Sequence, residues 1–424
     1  MSLSFGIPLL DAVLWSIITF SLLVVLHEGG HFLAARLFGV KVHEFMVGLP
    51  GPALRWRSKR SGTFFGVTMV PLGGYVRIAG MEPGAEDELL APALRKVTDA
   101  GRAYVADVSA SLGVSLERAA TLLATLVDWG AVEVLDADAY RYGALMRRAE
   151  GETGVALLAR ARSVTYRGRR TWQRITILAA GVAVNIVAAI AAFTLVLSVW
   201  GYYLPSLAIE RVDPAFGAAD AGIRAGDRIV SVEGEALTDW ESLLDAVARL
   251  DPGSSAEIGF VRDGTERTAS VVVSSHDGRP VLGLTAGLEQ VDLTFLAALG
   301  ESVGFTGTMA VAILGFFNPA TFRESLAGAR SVIGISEEVA RAVQAGPLDY
   351  AALVAMLSLA LGLMNVLPIP PLDGGKIVLE VVERFMGRPL RREVSLAFSA
   401  VGAVMLFALI GYLMYADVMR IATG

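Results

Sequence analysis

Apolar residues crowd into four stretches of this chain, at about 7–26, 175–204, 350–366 and 394–415. A membrane-crossing helix needs roughly 20 mainly apolar residues, so all four read as spans rather than as buried helices of a soluble core. Asp11 is the one charge in the first and Asn185 the one polar intruder in the second. A further run at 305–317 is apolar but too short to cross, and reads as an interfacial or re-entrant segment. Between the second and third stretches the pattern shifts to alternating strands and turns over 205–290. Between the first and second it becomes helix, turn, helix, then a strand pair. Helices are expected at 103–112 and 115–129, with Gly113 in the turn, Ser115 as N-cap and Gly130 as stop; strands follow at 131–135 and 140–142.

Basic residues orient the spans. Lys41, Arg55, Arg57, Lys59 and Arg60 follow the first, Arg167, Arg169, Arg170 and Arg174 precede the second, and Lys376, Arg384, Arg388, Arg391 and Arg392 separate the last two. Connections rich in Lys and Arg stay cytoplasmic. Both termini and the 205–290 region then lie outside, and spans one and three run in the same direction. Their C-terminal ends must reach the same depth.

Composition agrees: of 424 residues, 54% are hydrophobic and only 18% charged, with a mean hydropathy of +0.56. Soluble domains sit nearer about 45–50% apolar and about 25% charged. The net charge of −6 argues against nucleic acid as the main partner. Nothing near the start reads as a cleavable signal. There is no cysteine, so a zinc site must draw on carboxylates and the four histidines His27, His31, His43 and His276.

At the expected cytoplasmic end of span one stands His27-Glu28-Gly29-Gly30-His31. Residues four apart share a helix face, so both imidazoles can meet one zinc ion. Glu28, one step round, is placed to take a proton from the attacking water. Two histidines and a glutamate at membrane depth are costly unless they serve a site. A catalytic zinc keeps three protein ligands and one open position. The third is expected to be a carboxylate, since His43 lies in a basic loop and His276 in the external region. The end of span three supplies Asn365-Val366-Leu367-Pro368-Ile369-Pro370-Pro371-Leu372-Asp373-Gly374-Gly375. Its prolines break the helix at membrane depth, where irregular backbone survives only around a cavity or within protein. Asp373 thus arrives at the same depth as His31.

This pair of motifs resembles the site-2 protease family of intramembrane zinc metalloproteases, nearest to the bacterial branch that cleaves membrane-bound anti-sigma factors. Glu44 to Gly48, followed by Val70-Pro71-Leu72-Gly73-Gly74-Tyr75-Val76, resembles that family's membrane-associated β-hairpin loop. Ala179-Ala180-Gly181-Val182-Ala183-Val184-Asn185 resembles its second-span motif, with Val182 where a proline is usual. The resemblance covers about 1–84 and 168–420. It implies His27, His31 and Asp373 as ligands of one Zn2+, Glu28 as base, and Asn185 and Asn365 as residues that orient substrate or polarise the scissile carbonyl. It also implies substrate contacts at Gly73, Gly74, Tyr75, Pro368 and Pro370. The segment 63–78 can take an unwound substrate as an added strand.

Ala221-Gly222-Ile223-Arg224-Ala225-Gly226-Asp227-Arg228-Ile229-Val230 resembles a PDZ domain of the bacterial protease type, with a helix at 240–250 and strands at 258–262 and 268–273 around the Asp263-Gly264 turn. The segment before span two resembles a winged-helix module. Its Asp107, Glu117, Asp128, Glu133, Asp136 and Asp138 favour a regulatory protein partner over DNA.

The expected fold is therefore a polytopic α-helical membrane protein of about four spans, with a membrane-associated β-hairpin or sheet, a PDZ domain and a winged-helix-like α+β insertion. The expected segments are 1–40, 41–84, 85–164 (insertion), 168–204, 205–290 (PDZ), 291–349 (interfacial), 350–393 and 394–424. The expected function is cleavage of single-span membrane proteins in the cell (inner) membrane, with the active site toward the cytoplasm and the PDZ domain binding a peptide or chain terminus. Two other classes compete. A catalytically silent scaffold predicts an incomplete zinc triad, and a zinc transporter predicts further ligands deep in other spans.

Overall fold

The computed structural model describes residues 8–81, 86–136, 138–276 and 278–423; Ile7, at the start of the first expected span, and the boundary at 84–85 lie outside them. Contacts divide the chain into two compact units, Thr194–Gly300 and the remainder.

In the larger unit, α1 (Pro8–Leu37) continues well past the expected end of the first span. No residue after Leu26 breaks the helix until Gly39, whose φ of +70° ends it. Next come β1 (Val42–Val47), β2 (Ala53–Arg57), β3 (Phe64–Thr68) and β4 (Gly74–Ile78). They form a mixed four-stranded sheet in the order β2-β3-β1-β4, with β1 parallel to β3 and antiparallel to β4. The expected hairpin is thus one part of a larger sheet whose β4 edge lies against α1: a Cβ on Gly74 would sit 3.7 Å from Val24 and 3.8 Å from Val25.

The insertion contains α2 (Leu90–Ala100), β5 (Arg102–Tyr104), α3 (Val105–Leu112), α4 (Leu116–Asp128), β6 (Val132–Asp136), β7 (Arg141–Ala144) and α5 (Gly154–Arg162). The Ser115 hydroxyl accepts from the Arg118 N–H at the start of α4, and Gly113 and Gly130 take φ of +64° and +69°. Helices α3 and α4 meet at 112°. Leu94, Val108, Leu122, Leu123, Leu126 and Leu157 fill a separate apolar core. Asp128 docks the insertion on the sheet: its carboxylate accepts from Gly80 N–H at 2.7 Å and faces His43 Nε2 at 3.7 Å.

Helix α6 (Thr171–Trp200) ends earlier than its apolar run, because Gly201 turns the chain with φ +65°. Residues 202–204 instead begin β8 (Tyr202–Val212), where their backbone groups pair in a sheet.

The smaller unit continues with α7 (Gly217–Asp220), β9 (Arg228–Val232), β10 (Glu235–Ala236), α8 (Trp240–Ala248), β11 (Ser255–Arg262), β12 (Thr265–Val272), β13 (Ser274–His276), β14 (Arg279–Val281) and β15 (Leu284–Val291). Its main sheet has the order β12-β11-β9-β8-β15. Asp263 and Gly264 both have positive φ, as a two-residue hairpin turn matched to strand twist requires. A cavity of about 300 Å³ lies between Trp240, Leu243 and Val247 of α8 and the Leu282–Thr285 stretch at the start of β15.

Helix α9 (Phe295–Leu314) starts ten residues before the short apolar run expected at 305, and with the 3-10 turn Gly315–Phe317 it is long and apolar enough to cross a membrane. It is followed by α10 (Phe322–Gly328), α11 (Val332–Ala345), α12 (Pro347–Val366), α13 (Asp373–Met386) and α14 (Arg392–Thr423). By length and composition α1, α6, α9, α12 and α14 all qualify as spans. Buried Asp417 near the end of α14 accepts from the Ser331 N–H at 2.7 Å, which ties α14 to the start of α11.

Candidate metal centre

Helical phase brings His27 and His31 to one side of α1, and both are buried. Their Nε2 atoms lie 3.2 Å apart. Asp373, the first residue of α13, brings Oδ2 to 2.9 Å from His27 Nε2 and 3.0 Å from His31 Nε2. Ligands on a tetrahedral zinc at roughly 2.0–2.1 Å stand roughly 3.3 Å apart. The three atoms therefore fit such an ion, and they form the one metal-binding group of this kind among the described residues.

Neighbouring groups orient the candidate ligands. The Ile177 carbonyl can only accept, so His31 Nδ1–H donates to it at 2.7 Å, leaving Nε2 with its lone pair free. Lys376 Nζ lies 3.1 Å from the second oxygen of Asp373. Glu28 Oε2 accepts from the Val76 N–H at 3.1 Å, so the edge strand β4 positions the expected base.

Close approach of helices makes room for this group. A Cβ on Gly30 would stand 2.3 Å from the Ala180 carbonyl oxygen, and one on Gly181 would stand 2.5 Å from His31 Nε2. Only glycine at both positions lets α1 and α6 meet with two imidazoles between them. At the other end, a Cβ on Gly374 would lie 2.2 Å from the Val366 carbonyl oxygen. The glycine lets α13 start tightly behind the proline segment, with Asp373 in its first turn.

Helices α1 and α12 run in the same direction. Near their N-terminal ends Trp15 packs edge-on to Tyr350 at 5.1 Å and Thr19 Oγ1 lies 2.9 Å from the Tyr350 hydroxyl. In the C-terminal half of α1 the histidines meet Asp373, which follows the end of α12.

The other expected positions divide. Asn185 lies one turn beyond Gly181 on the same face of α6, fully buried, and neither of its side-chain polar atoms has a partner among the described residues. A Cβ on Gly362 of α12 would be 3.3 Å from Asn185 Cβ, so the two helices touch there. Asn365 is buried and its amide donates to Leu361 O within its own helix at 2.9 Å. Gly73 and Gly74 lead into the β4 edge against α1. The Tyr75 hydroxyl donates to Glu44 Oε2 at 3.3 Å, and burial together with the Glu44 charge pushes its pKa up, keeping it a neutral donor. Pro368 is exposed, whereas Pro370 is buried under α14, where a Cβ on Gly402 would clash with the Pro370 carbonyl. His43 faces Asp128 and His276 packs on Phe216, so neither joins the triad. Sequence reasoning missed the Ile177 carbonyl, the Val76 N–H and Gly402; the one available signal was the four-residue spacing of Ile177, Gly181 and Asn185.

Comparison with known proteins agrees with this geometry. The model for peptidase family M50 matches residues 15–409. A Lactococcus lactis protein named as a zinc metalloprotease is 27% identical over 432 residues, covering 97% of this chain and 99% of its own length. The zinc metalloprotease RasP of Bacillus licheniformis is 26% identical over 427 residues, covering 97% of this chain and 100% of its own. Among solved structures, the PDZ domain of an SdrC-like protein from Listeria monocytogenes matches 19% of this chain and 87% of its own at 21% identity, with a TM-score of 0.18 that carries no argument.

Proposed function

The chain belongs to peptidase family M50 and is an intramembrane zinc metalloprotease; on that premise we propose that His27, His31 and Asp373 hold the zinc and Glu28 is the general base. The observation that carries this assignment is the buried triangle of two imidazole nitrogens and one carboxylate oxygen with sides of 2.9, 3.0 and 3.2 Å. When bound, zinc supplies Lewis acidity and brings water toward ionisation near neutral pH. Glu28 accepts the proton of the attacking water as its oxygen bonds to the scissile carbonyl carbon. It then delivers that proton to the amide nitrogen as the C–N bond breaks. Asn185, buried and unpartnered one helical turn from Gly181, supports the role of a donor to the substrate carbonyl. The amide of Asn365 is engaged within its own helix, so in that role it must turn.

Substrate enters this reading as an extended chain. In the sheet β4 pairs with β1 on one side only, and on its other side, toward α1, it gives the Val76 N–H to Glu28. A peptide added along that edge exchanges its lost helical hydrogen bonds for strand bonds and passes Glu28. Gly73, Gly74 and Tyr75 then contact it from β4, and Pro368 from the opposite side. The substrate class is single-span membrane proteins, anti-sigma factors among them, already shortened outside the membrane.

Four crossings suit the parallel run of α1 and α12 better than five. Counting α6 and α9 both as crossings reverses α12 relative to α1, and α11, at 14 residues, is too short to restore the sense. Helix α9 is accordingly assigned to the membrane surface or a re-entrant path. With the basic connections cytoplasmic, the metal centre faces the cytoplasm and both termini and the 205–290 region lie outside. The strand order and the groove between α8 and β15 support a PDZ domain that admits trimmed substrates. The two angled helices and strand pair of the insertion support a winged-helix module that docks a regulatory protein.

The test is cleavage of a single-span substrate by the purified enzyme in liposomes, compared with Glu28→Gln. Loss of cleavage with zinc retained assigns the base. Zinc-loaded wild type that cleaves none of several helix-weakened substrates would favour a membrane scaffold.

A further inference from the structure

A second buried group of charged side chains lies along the helix that carries Asp373. Glu380 follows Asp373 by seven residues, two turns on, and so shares its face of α13. Glu380 and Tyr166 are both buried. The Tyr166 hydroxyl donates to Glu380 Oε1 at 2.9 Å, and Arg174 Nη1 lies 3.0 Å from Glu380 Oε2. Glu383, one turn further, faces Arg167 at 3.8 Å and Arg174 at 3.9 Å. The Arg174 guanidinium also stands 6.0 Å from the centre of the Tyr166 ring.

Stability alone is a poor reason for such a group. Drawing two carboxylates and two guanidinium ions out of water costs about as much as their attraction returns, and packed apolar residues would hold the helices equally well. What this network adds is direction, because charges and a phenol hydroxyl accept one register where leucines accept several.

That register leads to all three parts of the metal centre. Arg174 is three residues before Ile177, whose carbonyl orients His31. Glu380 is on the helix of Asp373. The Tyr166 N–H donates to Ala79 O at 2.8 Å, directly after β4, the strand that positions Glu28. From these links we propose that Glu380, Arg174 and Tyr166 are positioning residues that hold α13 against α6 and β4, so that Asp373 meets the two histidines. The inference rests on reading His27, His31 and Asp373 as the zinc ligands.

The test is zinc affinity, measured on the purified full-length protein in detergent by competition with a chromogenic chelator. Glu380→Gln keeps size and shape while removing the charge, and lowers affinity roughly tenfold, the low end of what outer partners of metal ligands contribute. Arg174→Glu weakens zinc binding at least as much, and Arg174→Glu combined with Glu380→Arg recovers most of the loss. A role in packing alone would not predict that recovery. Tyr166→Phe, which leaves the ring in place, gives a smaller loss and takes the place of Glu380→Gln if that variant does not accumulate. Unchanged affinity in Glu380→Gln or Tyr166→Phe, or no recovery in the reversed pair, overturns the proposal. His27→Ala is the control: if it binds zinc as wild type does, the ligand assignment itself fails and this inference with it.

Discussion

Gly181 of α6 lies against His31 so closely that a single added methyl would sit 2.5 Å from the Nε2 atom. This backbone is a wall of the candidate metal centre, and the absence of a side chain there lets the imidazole point inward. The Cβ would also come within 2.9 Å of His27, so no one rotamer change relieves both contacts. If His27 and His31 hold the zinc as proposed, Gly181→Ala displaces a ligand and zinc affinity falls about 10–100-fold, as for other disturbed metal surroundings. Zinc content after dialysis against a weak chelator reads the loss; full occupancy in the variant would contradict it.

Gly30 sets two effects against each other. Alanine in a helix interior normally stabilises by about 1 kcal/mol relative to glycine. Here its Cβ would meet backbone, the Ala180 carbonyl oxygen at 2.3 Å, which cannot move aside as a flexible side chain would. Overpacking costs typically about 1–3 kcal/mol, so Gly30→Ala is expected to lower the thermal midpoint in detergent despite its better propensity. A raised midpoint would mean that α1 and α6 do not touch there.

Metal removal separates the catalytic centre from the fold. A strong chelator should abolish cleavage, and added zinc should restore it where magnesium does not, because imidazole nitrogens suit zinc and not a hard cation. The helices are held by apolar packing as well as by the triad, so circular dichroism should keep its helical signal throughout. Restoration by magnesium would argue against two histidine ligands.

Asp128 is the latch of the insertion. Asp128→Ala leaves the buried Gly80 N–H without its acceptor, at about 1–3 kcal/mol. Limited proteolysis of the variant should cut around the insertion faster than in wild type, while Leu126 and its neighbours keep the module itself folded. Equal rates would show that other contacts hold it.

If substrate adds as a strand at β4, as proposed, its helix must open first. A substrate whose span is replaced by uninterrupted leucine should resist cleavage, and one glycine or proline pair near its middle should restore it. Efficient cutting of the leucine span would argue against strand addition beside Glu28.

Local pattern was enough for much of this protein. Apolar runs of span length, the four-residue spacing of His27 and His31, the helix-breaking prolines before Asp373, and Ser115, Gly113 and Gly130 around α4 each act within a few residues of themselves. Physics at that range is set by covalent geometry and by helix and turn hydrogen bonds, which the chain carries wherever it lies. The parallel run of α1 and α12 was also legible, since the charge pattern of the connections gives both helices the same sense. Other features were decided only in three dimensions. Where α6 stops depended on Gly201 and on the pairing of β8 with β15, while the apolar run continued past both. Parallel pairing of β1 with β3 has no signature in either strand. Gly181 clears space for a residue 150 positions earlier, and Glu380 meets Tyr166 across 214 positions. Contacts between such distant residues depend on how closely whole helices approach, which is settled by the packing of many side chains together and is written in no single stretch of the chain.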